Sequence, residues 1–230
     1  MKYKCVFFDL DHTLWDYEAN SRDTLHELFE QHGLQQKGII QFEEFHAVFK
    51  RINQELWYLY DHGRIDSTVI REQRFQKILD AFNVADDRLA NQLSQDYISA
   101  SPKKGKLLPG AEETLQYLVE EYPLTVVTNG FDDVQHTKLA SGKLTRYFKH
   151  IVTSERAGYK KPARQIFDFA LAANGVSSTE AIMVGDNLLT DIAGARNAAV
   201  DAVFFNPEGV KHDVSVKHEI RSLKELCSLL

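Results

Sequence analysis

The chain has 230 residues, 43% hydrophobic and 26% charged, with 27 basic side chains against 33 acidic ones and a net charge of −6. That is ordinary globular composition, large enough for one sizeable core carrying an insertion, and it excludes disorder as the dominant state. The acidic balance argues against a protein that coats nucleic acid, and no apolar run approaches the roughly 20 residues that span a bilayer.

The basic start, Met1 to Lys4, leads into an apolar stretch of only Cys5 to Phe8. That is shorter than the apolar core of a signal peptide, about 7–15 residues. Cys5 and Cys227 stand at opposite ends with no partner motif and read as reduced thiols of a cytoplasmic protein. Residues 4–9 form a short apolar run ending in an acid, which predicts a buried strand. From about 17 to 101 the pattern is helical. Leu25, Leu28 and Phe29 share a face, with Gly33 as a stop. Phe42, Phe45, Phe49, Ile52 and Leu56 form a second stripe closed by Gly63. Ile70, Phe75, Ile78, Leu79 and Phe82 form a third, with Ser67 as its N-cap. Leu89, Leu93 and Tyr97 form a fourth, so a small bundle is expected.

From Pro109 the pattern alternates. A helix over Ala111–Glu121 precedes the run Leu124–Thr128. Further apolar runs follow at Ile151–Thr153, Ala181–Gly185 and Ala202–Phe205, separated by helical stretches, one of them carrying Ile166, Phe167, Phe169 and Ala170. Ser222 to Glu225 reads as a capping box opening a last helix. Strands alternating with helices predict an α/β fold, a doubly wound parallel-sheet core of the Rossmann-like kind. The expected division is a core of 1–16 and 102–230 with a helical domain of 17–101 inserted after the first strand. The connections lie near Trp15–Tyr17 and Ser101–Leu108.

In open parallel sheets ligands bind beyond the carboxyl ends of the strands. The first strand ends in Asp9-Leu10-Asp11-His12-Thr13, the second in Thr128-Asn129-Gly130 and the fourth in Gly185-Asp186-Asn187, with Asp191 close behind. Lys160-Lys161-Pro162 lies between them. Parallel strands would bring these groups to one rim. Carboxylates crowded there repel, and a hard divalent cation removes the conflict; oxygen ligands with room for water favour Mg²⁺. A metal ion and a lysine then suit a phosphate. Thr128 and the backbone at Asn129-Gly130 offer further donors. Of Asp9 and Asp11, one is a candidate nucleophile and the other a candidate general acid–base. Any one of these motifs alone has a bland reading as a turn or a solvated loop; their joint order after apolar strands does not.

Phe8-Asp9-Leu10-Asp11-His12-Thr13-Leu14, Val127-Thr128-Asn129-Gly130, Lys161-Pro162 with Ile166-Phe167, and Gly185-Asp186-Asn187 with Asp191 resemble the four motifs of the haloacid dehalogenase-like hydrolases. The helical insertion is similar to the first-type cap of that superfamily. The resemblance implies an Mg²⁺-dependent phosphohydrolase working through an aspartyl-phosphate. It makes Asp9 the nucleophile and Asp11 the acid–base group, with metal ligands from Asp9, Asp186 and the Asp11 backbone carbonyl. Thr128, Asn129, Gly130 and Lys161 would hold the phosphate, and Asp191, Asn187 and Thr13 would support them from behind. Lys161, directly before proline, is the catalytic lysine of the pattern rather than Lys160. His12 fills a variable position and is assigned a structural or surface role. The dehalogenating members lack an equivalent of Asp11, which favours phosphate-ester hydrolysis here.

A nearer resemblance, carried by Leu14-Trp15-Asp16, Asn53-Gln54-Glu55-Leu56-Trp57, Thr128-Asn129-Gly130-Phe131 and Phe205-Asn206-Pro207, is to bacterial pyrimidine 5′-nucleotidases that act on standard and non-standard nucleotides. It implies a nucleoside 5′-monophosphate as substrate, with Trp57, Arg64 and Arg71 as candidate contacts in the cap, near Tyr58, Tyr60 and Arg74. Aromatic rings stack on bases and arginines contact polar edges. The alternatives are a sugar-phosphate phosphatase or phosphomutase of the same superfamily and, more remotely, a non-catalytic regulatory relative. The expected partner is a small phosphate ester, not a nucleic-acid polymer or a membrane, for a monomer or homodimer.

Overall fold

The first strand, β1 (Cys5–Phe8), is buried at every position because the sheet covers both its edges and helices cover both its faces. It lies near the middle of a six-stranded parallel sheet in the order β3-β2-β1-β4-β5-β6. The other strands are β2 (Leu124–Thr128), β3 (Phe148–Thr153), β4 (Ala181–Gly185), β5 (Asp201–Phe205) and β6 (His218–Ile220). The structure is a computed structural model that describes residues 2–230; Met1, part of the basic start, lies outside the described residues.

Strand side chains alternate between faces. Val6 and Phe8 join Val126, Val184 and Val203 on one face, under Leu115 and Leu118 of α5 (Ala111–Leu118), Leu139 of α6 (Asp132–Ser141) and Leu226 of α10 (Leu226–Leu229). Cys5 and Phe7 join Val127 and Met183 on the other, under Ile166, Phe167 and Ala170 of α8 (Arg164–Asn174) and Ala195 of α9 (Ala193–Asn197). A short helix, α7 (Ser154–Ala157), follows β3. The sheet is therefore wound on both sides, and all six strands send their carboxyl ends to one rim. Cys5 and Cys227 are both free thiols.

The chain divides into two compact units, one running up to Tyr17 and resuming at Gly105–Leu230, the other Glu18–Lys104. Within the first unit the outgoing and returning segments run side by side. Asp16 N donates to Lys106 O at 3.1 Å, Leu108 N donates to Leu14 O at 2.9 Å, and Trp15 bridges Leu107. The helical stretch contains α1 (Tyr17–Gln31), α2 (Phe42–Asp61), α3 (Ser67–Ala81) and α4 (Asp87–Ala100). The stripes read from the sequence supply its interior: Leu25, Leu28, Phe45, Phe49, Ile70, Phe75, Leu89 and Leu93 are all buried. No helix among the described residues is long and apolar enough to cross a membrane.

Three local expectations change. Ser67 is the first helical residue of α3; Asp66 occupies the extended cap position and no side chain caps the turn. The helix expected over Ala111–Glu121 stops at Leu118. Pro123 follows closely, and the residue before a proline avoids helical geometry. The edge strand β6 is only three residues long and polar at two of them, so it shows no readable period.

Candidate active site

Asp9 follows β1 directly, and its amide donates to Val184 O at 2.9 Å, which extends the pairing with β4 by one residue. Asp186 follows β4 in the same way. Asp191 lies on a π-helical turn, Leu188–Ile192, capped by Asn187, whose Oδ1 accepts from the amides of Leu189 at 2.8 Å and Thr190 at 3.1 Å. Asn187 N donates to Asp191 Oδ2 at 3.0 Å. Gly185 is required by this arrangement. A Cβ there would sit 2.3 Å from Asp191 Oδ2.

Lys161 enters from the loop after α7. Asn129 fixes its backbone twice: Asn129 Nδ2 donates to Lys161 O at 2.9 Å, and Lys161 N donates to Asn129 Oδ1 at 2.7 Å. The buried Nζ then bridges Asp9 Oδ1 and Asp191 Oδ1, each at 2.6 Å. Thr13, fully buried, donates to Asp186 Oδ1 at 3.0 Å. Lys161, the lysine directly before Pro162, is bonded to both Asp9 and Asp191.

Carboxylate oxygens of Asp9, Asp186 and Asp191 lie within 4.8 Å of one another. Three acids against one lysine leave two uncompensated negative charges, and the consequences follow. Burial pushes the pKa of Asp9 up to about 7; Lys161 pulls the other way and Asp191 adds to the rise. Burial also pushes Asp186 up to about 6, with Asp9 the next contributor. Asp191 is raised for the same first reason. Burial acts to strip the proton from Lys161, but Asp191 and Asp9 more than offset it and hold the lysine charged. A residual charge of about −2 on oxygen donors fits one hard divalent cation. Hydrogen bonds among the described residues engage only Oδ1 of Asp9 and Oδ1 of Asp186, leaving one oxygen on each to turn toward a cation.

Thr128 ends β2. Its Oγ1 accepts from Gly130 N at 3.0 Å and from Gln135 Nε2 at 2.9 Å. With both lone pairs taken, its hydroxyl proton is the group left to donate. Asp11 lies outside the tight cluster of the other three carboxylates. Its side chain accepts from Lys138 Nζ at 2.5 Å and from Gln135 Nε2 at 2.9 Å. Burial opposes its charge, but the Lys138 ammonium and the Gln135 amide outweigh burial and hold its pKa below the usual carboxylate value. Asp9, Asp186 and Asp191, three of the four expected carboxylates, form the cluster.

Gln135 and Lys138 were not predicted. They lie one turn apart on α6, beside buried Leu139, directly after Thr128-Asn129-Gly130. His12 is exposed, at φ 62°, with its ring 4.8 Å from that of Tyr17. The predicted cap residues belong to the helical unit. Trp57 is half-buried on α2, its ring edge-on to Tyr60 at 5.6 Å; Arg64 is exposed in the turn after α2; Arg71 is half-buried on α3. Arg74 is instead interior to that unit. It donates to Asn53 Oδ1 at 3.0 Å, and its guanidinium lies 4.4 Å from the Tyr97 ring centroid and 5.3 Å from that of Phe49.

A lysine-bridged pair of acids beside a third, set at the rim of a parallel sheet, makes a site suited to a divalent cation next to an ammonium group. The chain matches the model of the haloacid dehalogenase-like hydrolases over residues 6–205, and it belongs to that family. It is 28% identical to the crystal structure of the HAD-hydrolase YfnB of Bacillus subtilis bound to magnesium, at a TM-score of 0.90 over 100% of this chain and 99% of that one. It is 31% identical to the pyrimidine 5′-nucleotidase YjjG of Escherichia coli, over 97% of this chain and 98% of the relative. It is 32% identical to the ribulose-1,5-bisphosphate 5-phosphatase of Halopiger xanaduensis, over 88% and 84%.

Proposed function

We infer that this protein is a phosphomonoester hydrolase using Mg²⁺ and acting through an aspartyl-phosphate, with pyrimidine nucleoside 5′-monophosphates as its preferred substrates. The observation that carries the hydrolase reading is the Lys161 ammonium held at 2.6 Å from both Asp9 and Asp191 beside Asp186. The nucleotide preference is supported by the likeness to YjjG over nearly the whole of both chains.

Asp9 attacks phosphorus, and the P–O bond to the leaving oxygen breaks. Asp11, a carboxylate in the unliganded site, takes up a proton when the anionic ester binds beside it; it gives that proton to the leaving oxygen, then takes one from the water that attacks the aspartyl-phosphate, so Asp9 is regenerated and phosphate is released. Thr128 donates its hydroxyl proton to a phosphoryl oxygen, joined by the amide of Asn129; the Gly130 amide, expected to join them, is instead committed to Thr128 Oγ1 and orients that hydroxyl. Lys161 offsets the charge on the transferring group, and Asp191 aims it. Asp9, Asp186 and the Asp11 carbonyl would hold the metal ion. When bound it supplies charge neutralisation to the phosphoryl oxygens. Asp11 separates this chemistry from dehalogenation, where a departing halide needs no proton.

The test is phosphate release, in Mg²⁺, from pyrimidine and purine 5′-monophosphates, 3′-monophosphates, sugar phosphates and an aryl phosphate, with Asp9→Asn as blank. A preference for pyrimidine 5′-monophosphates supports the full reading. Release confined to sugar phosphates, the direction of the Halopiger relative, keeps the catalytic roles and overturns the substrate.

A further inference from the structure

Helix α6 buries two polar side chains beside Leu139. Gln135 is fully buried and Lys138 is 6% exposed. Glutamine and lysine are seldom buried unless paired. Both are aimed at one target. Lys138 Nζ donates to Asp11 Oδ1 at 2.5 Å, and Gln135 Nε2 donates to Asp11 Oδ2 at 2.9 Å. One donor on each oxygen fixes the plane of the carboxylate. The same Gln135 Nε2 reaches Thr128 Oγ1 at 2.9 Å, so one amide ties the two groups together.

The surroundings hold this clamp in place. Lys138 Nζ lies 4.6 Å from the Trp15 ring centroid and 5.8 Å from that of Tyr17. Trp15 is fully buried and closes the same tight loop that presents Asp11, with Trp15 N donating to Leu10 O at 2.9 Å. Gly130 is open for Gln135: a Cβ there would sit 1.7 Å from Nε2. The glycine of the Thr128-Asn129-Gly130 motif therefore makes room for the amide as well as for any oxyanion.

We propose that Gln135 and Lys138 are positioning residues for the reaction, holding the Asp11 carboxylate in one orientation relative to the Thr128 hydroxyl. The proposal rests on the hydrolase reading above. Their action falls on proton transfer to the leaving oxygen, not on affinity, so esters with poor leaving groups depend on them most.

The experiment measures kcat and KM in Mg²⁺ for p-nitrophenyl phosphate, phenyl phosphate, ribose 5-phosphate and uridine 5′-monophosphate. The proteins are wild type, Asp11→Asn, Lys138→Met, Lys138→Arg and Gln135→Leu. Lys138→Met and Gln135→Leu are expected to lower kcat roughly tenfold or more on the alkyl esters, with a distinctly smaller loss on p-nitrophenyl phosphate and little change in KM. Lys138→Arg recovers part of the loss. Equal losses across the series, or a rise in KM alone, overturn the proposal. Should Lys138→Met lose its cooperative thermal transition, Lys138→Arg and Gln135→Leu carry the same test. If wild type and Asp11→Asn show the leaving-group dependence and the α6 variants do not, the positioning roles fail while the hydrolase reading stands. If wild type releases phosphate from no ester, both fail.

Discussion

The α/β unit and the helical unit each bury cationic side chains, and they handle them differently. Lys161, 2% exposed, is bridged to two carboxylates, and Lys138 is paired with a third. Arg74, 5% exposed, has no carboxylate partner among the described residues. It has one amide oxygen, three aromatic rings and an Nε with no acceptor. Buried ion pairs are weak evidence of stabilisation, because desolvation consumes most of the attraction. A buried lysine shared by acids that repel one another is therefore better explained by chemistry than by stability. Arg74 is explained by packing: its flat guanidinium lies against ring faces, where cation–π attraction offsets part of the desolvation.

The contrast predicts effects of descending size. The largest is on turnover. Asp9→Asn, close in shape to the native side chain, should keep the fold and lower phosphate release by at least about 10⁴-fold. Substantial residual activity would remove Asp9 from the nucleophile's place. Next is stability at the rim. Lys161→Met leaves Asp9 and Asp191 buried without their cation and should cost about 3–5 kcal/mol in denaturant unfolding. A cost near zero would mean that the lysine does not hold the acids together.

The third effect depends on pH and metal. Asp9 and Asp186 have folded-state pKa values raised to about 7 and about 6, above the unfolded values near 4. Metal-free protein thus gains stability from these groups when they are protonated, and loses it as pH rises from about 4 to about 7. Mg²⁺ competes with those protons, so the melting temperature should rise on adding Mg²⁺ by more at pH 8 than at pH 5. A shift independent of pH would separate the metal from these acids. The smallest effect is in the helical unit. Arg74→Met trades one hydrogen bond and ring contacts for relief of desolvation, and unfolding free energy should change by no more than about 1 kcal/mol. A loss as large as that of Lys161→Met would show that Arg74 also answers a buried charge.

What the sequence shows in advance follows from geometry. Residues at or directly past the carboxyl end of a buried parallel strand stand at the rim, so the strands alone put Asp9, Thr128 and Asp186 there. Lys161 and Asn129 were legible from motif order, though their reciprocal backbone hydrogen bonds were not. Asp11 was legible as a residue but not in its direction. It stands three positions past the end of β1, next to His12 with its positive φ, where strand alternation no longer governs. Gln135 and Lys138 were invisible because polar residues on a helix ordinarily face water, and only the tertiary position of Asp11 turns that face inward. In the sequence Arg74 is one of several arginines near aromatics; its burial depends on α2 and α4 packing around α3.

The central claim is that Asp9 carries the phosphoryl group. The most direct measurement is a single turnover in Mg²⁺ with a radiolabelled phosphate ester that the enzyme hydrolyses, quenched in acid within milliseconds and mapped by peptide. The account predicts transient label on the peptide containing Asp9, absent in Asp9→Asn. Rapid hydrolysis with label on no peptide, or on one that lacks Asp9, would contradict it.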